Sequence, residues 1–172
     1  MGKMHPQRTK LILLIASFSL SLCGVVTLVS IYLPWAVHTC GVDLLCEEWQ
    51  YSLSQLAEIA EWMGAGALPQ PTLILIGSIC IIVFSLLAFI VEIREGSRKM
   101  VCILSFSTTL AAILVLAGAL WAYFAVEELP INPNFDYGIG FYLTSTIAVL
   151  VIVVGIVAAL LTSTSSRIRE EQ

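Results

Sequence analysis

Two cysteines, Cys40 and Cys46, are the residues of this chain whose type and spacing could do chemistry. Paired thiols can form a structural disulfide, exchange electrons with another dithiol, or bind a soft metal ion. A zinc site needs four ligands, and His38 is the only other soft donor nearby, so we expect no metal site. Thiol-exchange enzymes use a close CxxC pair, whereas the spacing here is CxxxxxC. We predict a structural disulfide and keep a membrane thiol–disulfide oxidoreductase as a remote alternative.

The elements that position these cysteines are apolar helices. Hydrophobic residues make up 59% of the chain and charged residues 12%, against about 45–50% and about 25% in soluble domains. Four uncharged runs reach the length of about 20 residues that a helix needs to cross a bilayer. The predicted fold is all-α and membrane-embedded: one four-pass domain over 1–172, a four-transmembrane-helix bundle with a small disulfide-closed extracellular β element in loop 1. The predicted spans are about 11–33, 72–91, 100–126 and 139–161.

Basic residues predict the orientation of the bundle, because cytoplasmic loops retain Lys and Arg. All eight lie at the termini or in the short turn between the second and third spans: Lys3, Arg8, Lys10, Arg94, Arg98, Lys99, Arg167 and Arg169. We therefore expect both termini in the cytoplasm and the loops of about 34–70 and 127–136 outside. Outside is also where a disulfide between Cys40 and Cys46 would persist.

Loop 1 contains two predicted elements. Pro34 interrupts the first helix, and strand formers on both sides of it predict a short strand: Ile31, Tyr32, Val37 and Thr39. Trp35 is expected at the outer membrane interface with its ring half buried. Ser52 and Gln55 have the spacing of a capping box, which predicts that a helix starts there. Its apolar face follows at helical spacing, at Leu53, Leu56, Ile59, Ala60 and Met63.

The predicted spans contain no Asp, Glu, Lys, Arg or His, so a proton pump or a transporter of charged substrates has no such group to use there. No catalytic motif is present, and we expect no enzyme activity, no cofactor, no metal and no nucleic-acid partner. Small residues four apart predict close helix packing instead, in the pairs Ser17 and Ser21, Gly118 and Ala122, and Gly155 and Ala159.

Three segments resemble the superfamily of claudins, peripheral myelin protein and calcium-channel gamma subunits. "PWAVHTC" with the second cysteine is similar to its Trp…Cys…Cys signature, here Trp35, Cys40 and Cys46. "CEEWQYSLSQLAE", which contains Trp49, is similar to the stretch that leads toward its second helix. The opening of the last span resembles the family's aromatic-rich Tyr-Gly-x-x-Phe-Tyr, with Tyr137, Gly138, Phe141 and Tyr142 in those places.

The resemblance implies a non-catalytic protein of cell–cell adhesion or membrane organisation, as at a cell junction in the plasma membrane. The alternative that it implies is an auxiliary subunit of an ion channel or receptor. The partners would be the lipid bilayer and another membrane protein, either a homophilic neighbour or a channel or receptor subunit. Two departures stand out: the usual Gly-Leu-Trp is missing apart from Trp35, and the gap between the cysteines is short. We therefore expect the family's extracellular sheet in reduced form.

Overall fold

The computed structural model describes residues 6–38, 49–62, 70–128 and 135–170. These segments form five helices and three short strands. In chain order they are α1 (Pro6–Ser30), β1 (Pro34–His38), β2 (Trp49–Ser52), α2 (Leu53–Trp62), α3 (Gln70–Ile93), α4 (Arg98–Glu128), β3 (Phe135–Tyr137) and α5 (Ile139–Glu170).

Four of these helices, α1, α3, α4 and α5, are long and apolar enough to cross a membrane, which confirms the prediction of four such helices. A segment surrounded by lipid must satisfy its own backbone hydrogen bonds, and a helix does so within one segment. The helices and the uncharged runs differ at their ends. α3 and α4 continue into the charged residues Glu92 and Arg98, and α1 ends at Ser30 rather than at Leu33.

The four long helices pack in the order α1, α3, α4, α5, and contact between α5 and α1 closes the ring. Small and β-branched residues face the inside, as on α3, where the buried positions recur in steps of four and three: Ile74, Ser78, Ile81, Ser85 and Ala88. Large side chains such as Phe18, Ile103 and Leu160 face outward. This arrangement suits lipid, where apolar surface needs no burial and small residues allow close helix contact.

Glycines set how closely neighbouring helices approach. A Cβ on Gly77 of α3 would lie 2.5 Å from Cγ2 of Val115 on α4, and one on Gly24 of α1 would lie 2.7 Å from Cγ1 of Ile82 on α3. Gly155 of α5 meets the Thr109 hydroxyl of α4 in the same way. At each of these three helix contacts a residue larger than glycine would therefore force a neighbouring atom to shift.

Hydroxyl groups inside the bundle are satisfied mostly by their own helix. Ser78 donates to the carbonyl of Ile74 at 2.6 Å, and Thr162 donates to that of Ala158 at 2.7 Å. Ser85, Thr108 and Thr109 each bond the carbonyl four residues earlier in the same manner. Such bonds allow a hydroxyl to lie in an apolar interior without the cost of an unpaired polar group.

The strands form one antiparallel sheet in the order β2-β1-β3. Ala36 of β1 is opposite Tyr51 of β2 on one side and opposite Tyr137 of β3 on the other. The β element in loop 1 is thus present, and a strand of loop 2 that the sequence did not predict joins it. β1 starts at Pro34, whereas Ile31 and Tyr32 lie in the turn that ends α1 rather than in the strand.

The predicted helix in the second half of loop 1 is confirmed as α2. The Ser52 amide donates to Oε1 of Gln55 at 2.9 Å and the Gln55 amide donates to the Ser52 hydroxyl at 3.4 Å, which is the reciprocal pattern of a capping box. Leu53 and Leu56 are buried in the main hydrophobic core, so α2 packs against the bundle.

Candidate functional site at the sheet end

The end of the bundle that carries the sheet, here called the sheet end, holds the aromatic residues with polar groups. The chain has four Trp and five Tyr. All of them lie in the sheet, in α2 or in the adjoining ends of the long helices: Tyr32, Trp35, Trp49, Tyr51, Trp62, Trp121, Tyr123, Tyr137 and Tyr142. Trp and Tyr concentrate at membrane–water interfaces, where the ring is apolar and one atom remains polar. The distribution marks the sheet end as the functional candidate.

Trp35 anchors the sheet to the helices. Its side chain is 2% exposed, so the expectation of a half-buried ring is wrong: the ring lies inside the protein. Its Nε1 donates to the carbonyl of Ser30 at the end of α1, at 2.8 Å, and its own carbonyl accepts from the Gly138 amide at 2.8 Å. The register of β1 against β2 shifts between Pro34 and Ala36. Because of this bulge, Trp35 and Ala36 can both be buried, whereas successive strand residues normally face opposite sides.

Residues at the start of α5 form the surface against which Trp35 packs, here called the seat of Trp35. A Cβ on Gly140 would lie 2.6 Å from Cδ1 of Trp35, and one on Gly138 would collide with the Pro34 carbonyl. The Phe141 ring meets the Trp35 ring edge-on, with centroids 6.0 Å apart. The signature residues Trp35, Gly138 and Phe141, distant in sequence, are thus brought together.

A second aromatic group continues from Phe141 toward α4. Tyr137 of β3 stacks on Tyr123 of α4 with ring centroids 4.7 Å apart and planes at 15°, and Phe141 lies 5.0 Å from Tyr137. Tyr142 contacts Phe141 at 5.5 Å and is otherwise exposed. Tyr123 was not predicted as part of this group, because its only sequence signal is its position near the end of an apolar run. These ring contacts hold β3 against α4 and α5.

Hydroxyl groups join α1 to α5 just below the sheet. Ser30 and Thr144, both fully buried, share a hydrogen bond. The Ser30 hydroxyl donates to the Thr27 carbonyl at 2.6 Å. Its single proton is then in use, so Thr144 is the donor to Ser30. These hydroxyls were not predicted as a pair, because Ser and Thr are common in apolar helices and the two residues lie 114 positions apart.

The large exposed side chains near the sheet include Trp49 and Tyr32. Trp49, on the outer strand β2, is 56% exposed, and Tyr32, between α1 and β1, is 75% exposed. Trp49 was selected from its sequence context, and Tyr32 was predicted only as a strand former. An exposed indole beside a rigid anchor is the kind of group that dominates protein interfaces.

The other selected residues lie elsewhere. Ser17, Ser21, Gly118, Ala122 and Gly155 are buried within the bundle, and Ala159 is half-buried with its carbonyl 3.8 Å from Sγ of Cys102. Cys40 and Cys46 lie outside the described residues, so their disulfide stays a prediction. Cys23, Cys80 and Cys102 are free thiols in α1, α3 and α4. Within the described segments no three His, Cys, Asp or Glu side chains are grouped as metal ligands.

No protein-family model matches the chain, and no curated protein matches it. A function has to be inferred from the sheet end itself, where a buried anchor fixes a small sheet and the exposed Trp49 lies on its outer strand.

Proposed function

We propose that the chain is a claudin-like, non-catalytic integral membrane protein that acts in cell–cell adhesion or membrane organisation. The observation that carries the proposal is the joining of both loops into one sheet, which Trp35 fixes to the helices. That sheet presents Trp49 on its outer strand. The protein would use the sheet end to contact a neighbouring membrane protein.

We infer that the sheet end is extracellular and that both termini are cytoplasmic. All eight Lys and Arg belong to segments at the opposite end of the bundle or to the N-terminal residues before α1. Lys and Arg are retained on the cytoplasmic side during insertion, which supports this orientation. The proposed location is the plasma membrane, where an extracellular sheet can meet a second cell.

A fixed sheet is suited to recognition because little conformational freedom is lost when it binds. The three attachments of Trp35, to Ser30, Gly138 and Phe141, restrain β1 before any partner arrives. β2 is an outer strand among the described strands, and outer strands offer unpaired backbone groups to a partner. Trp49 lies on that strand, so an apolar anchor and strand pairing are available at one place.

The test is the distribution of the tagged protein in cells that touch one another. We expect the wild-type protein to concentrate at contacts between expressing cells. Trp49→Ala should reduce that enrichment while total surface abundance is kept, because Trp49 packs into no core. Gln50→Ala, at the next exposed position of β2, is the matched control and should retain the enrichment. Uniform staining of the wild-type protein on touching cells would contradict the proposal.

The alternative, an auxiliary subunit of a channel or receptor, is favoured by an exposed hydroxyl on α5. Thr144 bonds to Ser30 and the Ser145 hydroxyl is enclosed within the bundle, so neither is open to another protein. Thr146 is exposed on the outside of the helix. A helix of another protein could form a hydrogen bond with it within the membrane.

Affinity purification in a mild detergent separates these two functions. A stoichiometric channel-sized partner that is lost in Thr146→Val but retained in Trp49→Ala would establish the auxiliary subunit. Loss of cell-contact enrichment in Trp49→Ala without such a partner would establish adhesion.

A further inference from the structure

The end of the bundle opposite the sheet, here called the turn end, carries a basic rim made of Arg8, Arg94, Arg98 and Lys99. Arg8 belongs to α1, Arg94 follows α3, and the other two open α4. Arg8, Arg94 and Lys99 are exposed and Arg98 is half-exposed. Three helix ends thus contribute to one charged surface.

The turn between α3 and α4 holds this rim in place. The amides of Arg94 and Gly96 donate to the carbonyls of Ile90 and Val91, at 3.0 and 2.9 Å. Glu95 has a positive φ of 54°, and its carboxylate accepts from Nζ of Lys10 on α1 at 2.8 Å. α1 is therefore tied to the turn, which keeps Arg8 on the same side as the α4 residues.

The charges at the turn end do not cancel. Its described side chains include five basic residues, the rim and Lys10, and two carboxylates, Glu92 and Glu95, so the net charge is 5 − 2 = +3. Glu95 is paired with Lys10, and Glu92 is only 7% exposed. Within the described side chains no carboxylate forms an ion pair with the rim.

The rim lies at the ends of helices that are long and apolar enough to cross a membrane. Exposed apolar side chains come immediately next to it, Ile93 before Arg94 and Met100 after Lys99. This change from apolar to basic surface within one residue marks the boundary between hydrocarbon and headgroups. Phosphate and carboxylate groups of anionic lipids would meet guanidinium and ammonium groups there that pair with no described carboxylate.

We propose that the basic rim binds the headgroups of anionic phospholipids. Each Lys or Arg near an anionic surface raises the affinity about fivefold, so several together produce a clear preference over zwitterionic lipid. The preference should weaken as salt rises, because salt screens the charges.

The experiment titrates the full chain, in an uncharged detergent, with phosphatidylserine or phosphatidylcholine and reads the lipid-bound fraction by native mass spectrometry. We expect phosphatidylserine to bind the wild-type protein at least about tenfold more tightly. Arg94→Gln/Arg98→Gln/Lys99→Gln should lose that preference. Arg94→Lys/Arg98→Lys, which conserves the charge, should keep most of it.

Helix content and elution volume show whether the triple variant is folded. Equal binding of the two lipids to the wild-type protein would overturn the proposal. An unchanged preference in the folded triple variant would also overturn it, because three of the four rim residues would then contribute nothing to lipid binding. If the triple variant does not fold, the wild-type comparison and its salt dependence decide.

Discussion

Gly140 lies so close to Trp35 that a Cβ at this glycine would be 2.6 Å from Cδ1 and 2.7 Å from Nε1 of the indole. Such distances are well inside van der Waals contact. The ring cannot easily move away, because it is buried and its Nε1 is bonded to the Ser30 carbonyl. The attachment of the sheet to the bundle therefore depends on the absence of a side chain at position 140.

We predict that Gly140→Ala lowers the free energy of unfolding by about 1–3 kcal/mol, the usual cost of overpacking. Thermal unfolding of the purified protein in detergent measures the change. Ile139→Ala, at the neighbouring residue that is 63% exposed, is the control and should change stability by about 0.5 kcal/mol or less. A Gly140→Ala variant as stable as the wild-type protein would show that the seat of Trp35 is not tight.

The Ser30–Thr144 bond predicts a coupled pair of substitutions. Thr144→Val keeps the side-chain shape but removes the donor to Ser30, and Ser30→Ala removes the acceptor. Each should destabilise the protein by about 1 kcal/mol, and the double variant should cost less than the sum of the two. A double-mutant cycle in detergent measures the coupling energy. Strict additivity would mean that the two hydroxyls do not interact.

The ion pair at the turn end predicts a pH dependence. The hydrogen bond from Lys10, and secondly its charge, hold the pKa of the Glu95 carboxyl below its ordinary value. A carboxyl whose pKa is lower in the folded state stabilises that state above the pKa of the unfolded chain. This contribution disappears as the pH falls through the lowered pKa.

We expect Lys10→Met to return the pKa of Glu95 to the ordinary range of a carboxyl. A carbon-13 NMR titration of the Glu95 carboxyl in wild-type and variant protein measures this shift, and added salt should reduce the difference because Glu95 is exposed. Identical titrations of the two proteins would contradict the ion pair.

The four long helices could be predicted because a run of about 20 apolar residues without charge is enough to distinguish a membrane-spanning helix from a helix of a soluble protein. The ends of the helices could not, because charge defines the hydrocarbon boundary and not the last hydrogen-bonded turn. α3 therefore continues through Glu92, and α5 continues through polar residues to Glu170. The capping box of α2 was predictable since its two residues are three apart and act locally.

The sheet end was only partly predictable. Trp35, Gly138 and Phe141 were found through the resemblance, but local sequence does not show that a glycine of α5 forms the seat of a tryptophan in β1. β3 pairs with a strand nearly a hundred positions earlier. Its three residues are too few to show the alternation of apolar and polar side chains by which a strand is predicted. Gly24 and Gly77 were missed for a similar reason, since the closeness of two helices depends on how they cross.

The predicted disulfide between Cys40 and Cys46 implies matched phenotypes for its two cysteines. Replacing either one should lower surface abundance by a similar amount, and replacing both should do little further harm, because the two act as one bond. The loop closure should stabilise the fold by roughly 2 kcal/mol. Labelling of intact cells with an impermeant maleimide, without reductant, tests the bond directly. Ready labelling at either position would reopen the oxidoreductase alternative.

Homophilic contact through the sheet end is tested most directly by mixing expressing with non-expressing cells and comparing their borders. A border between an expressing and a non-expressing cell carries the tagged protein from one cell only. The fluorescence at a border between two expressing cells should therefore exceed twice the fluorescence at such a mixed border. Trp49→Ala should reduce this excess, whereas Gln50→Ala should not. If borders between two expressing cells show only twice the fluorescence of mixed borders, the sheet does not bind a second copy across the contact. That result would contradict the proposed adhesion.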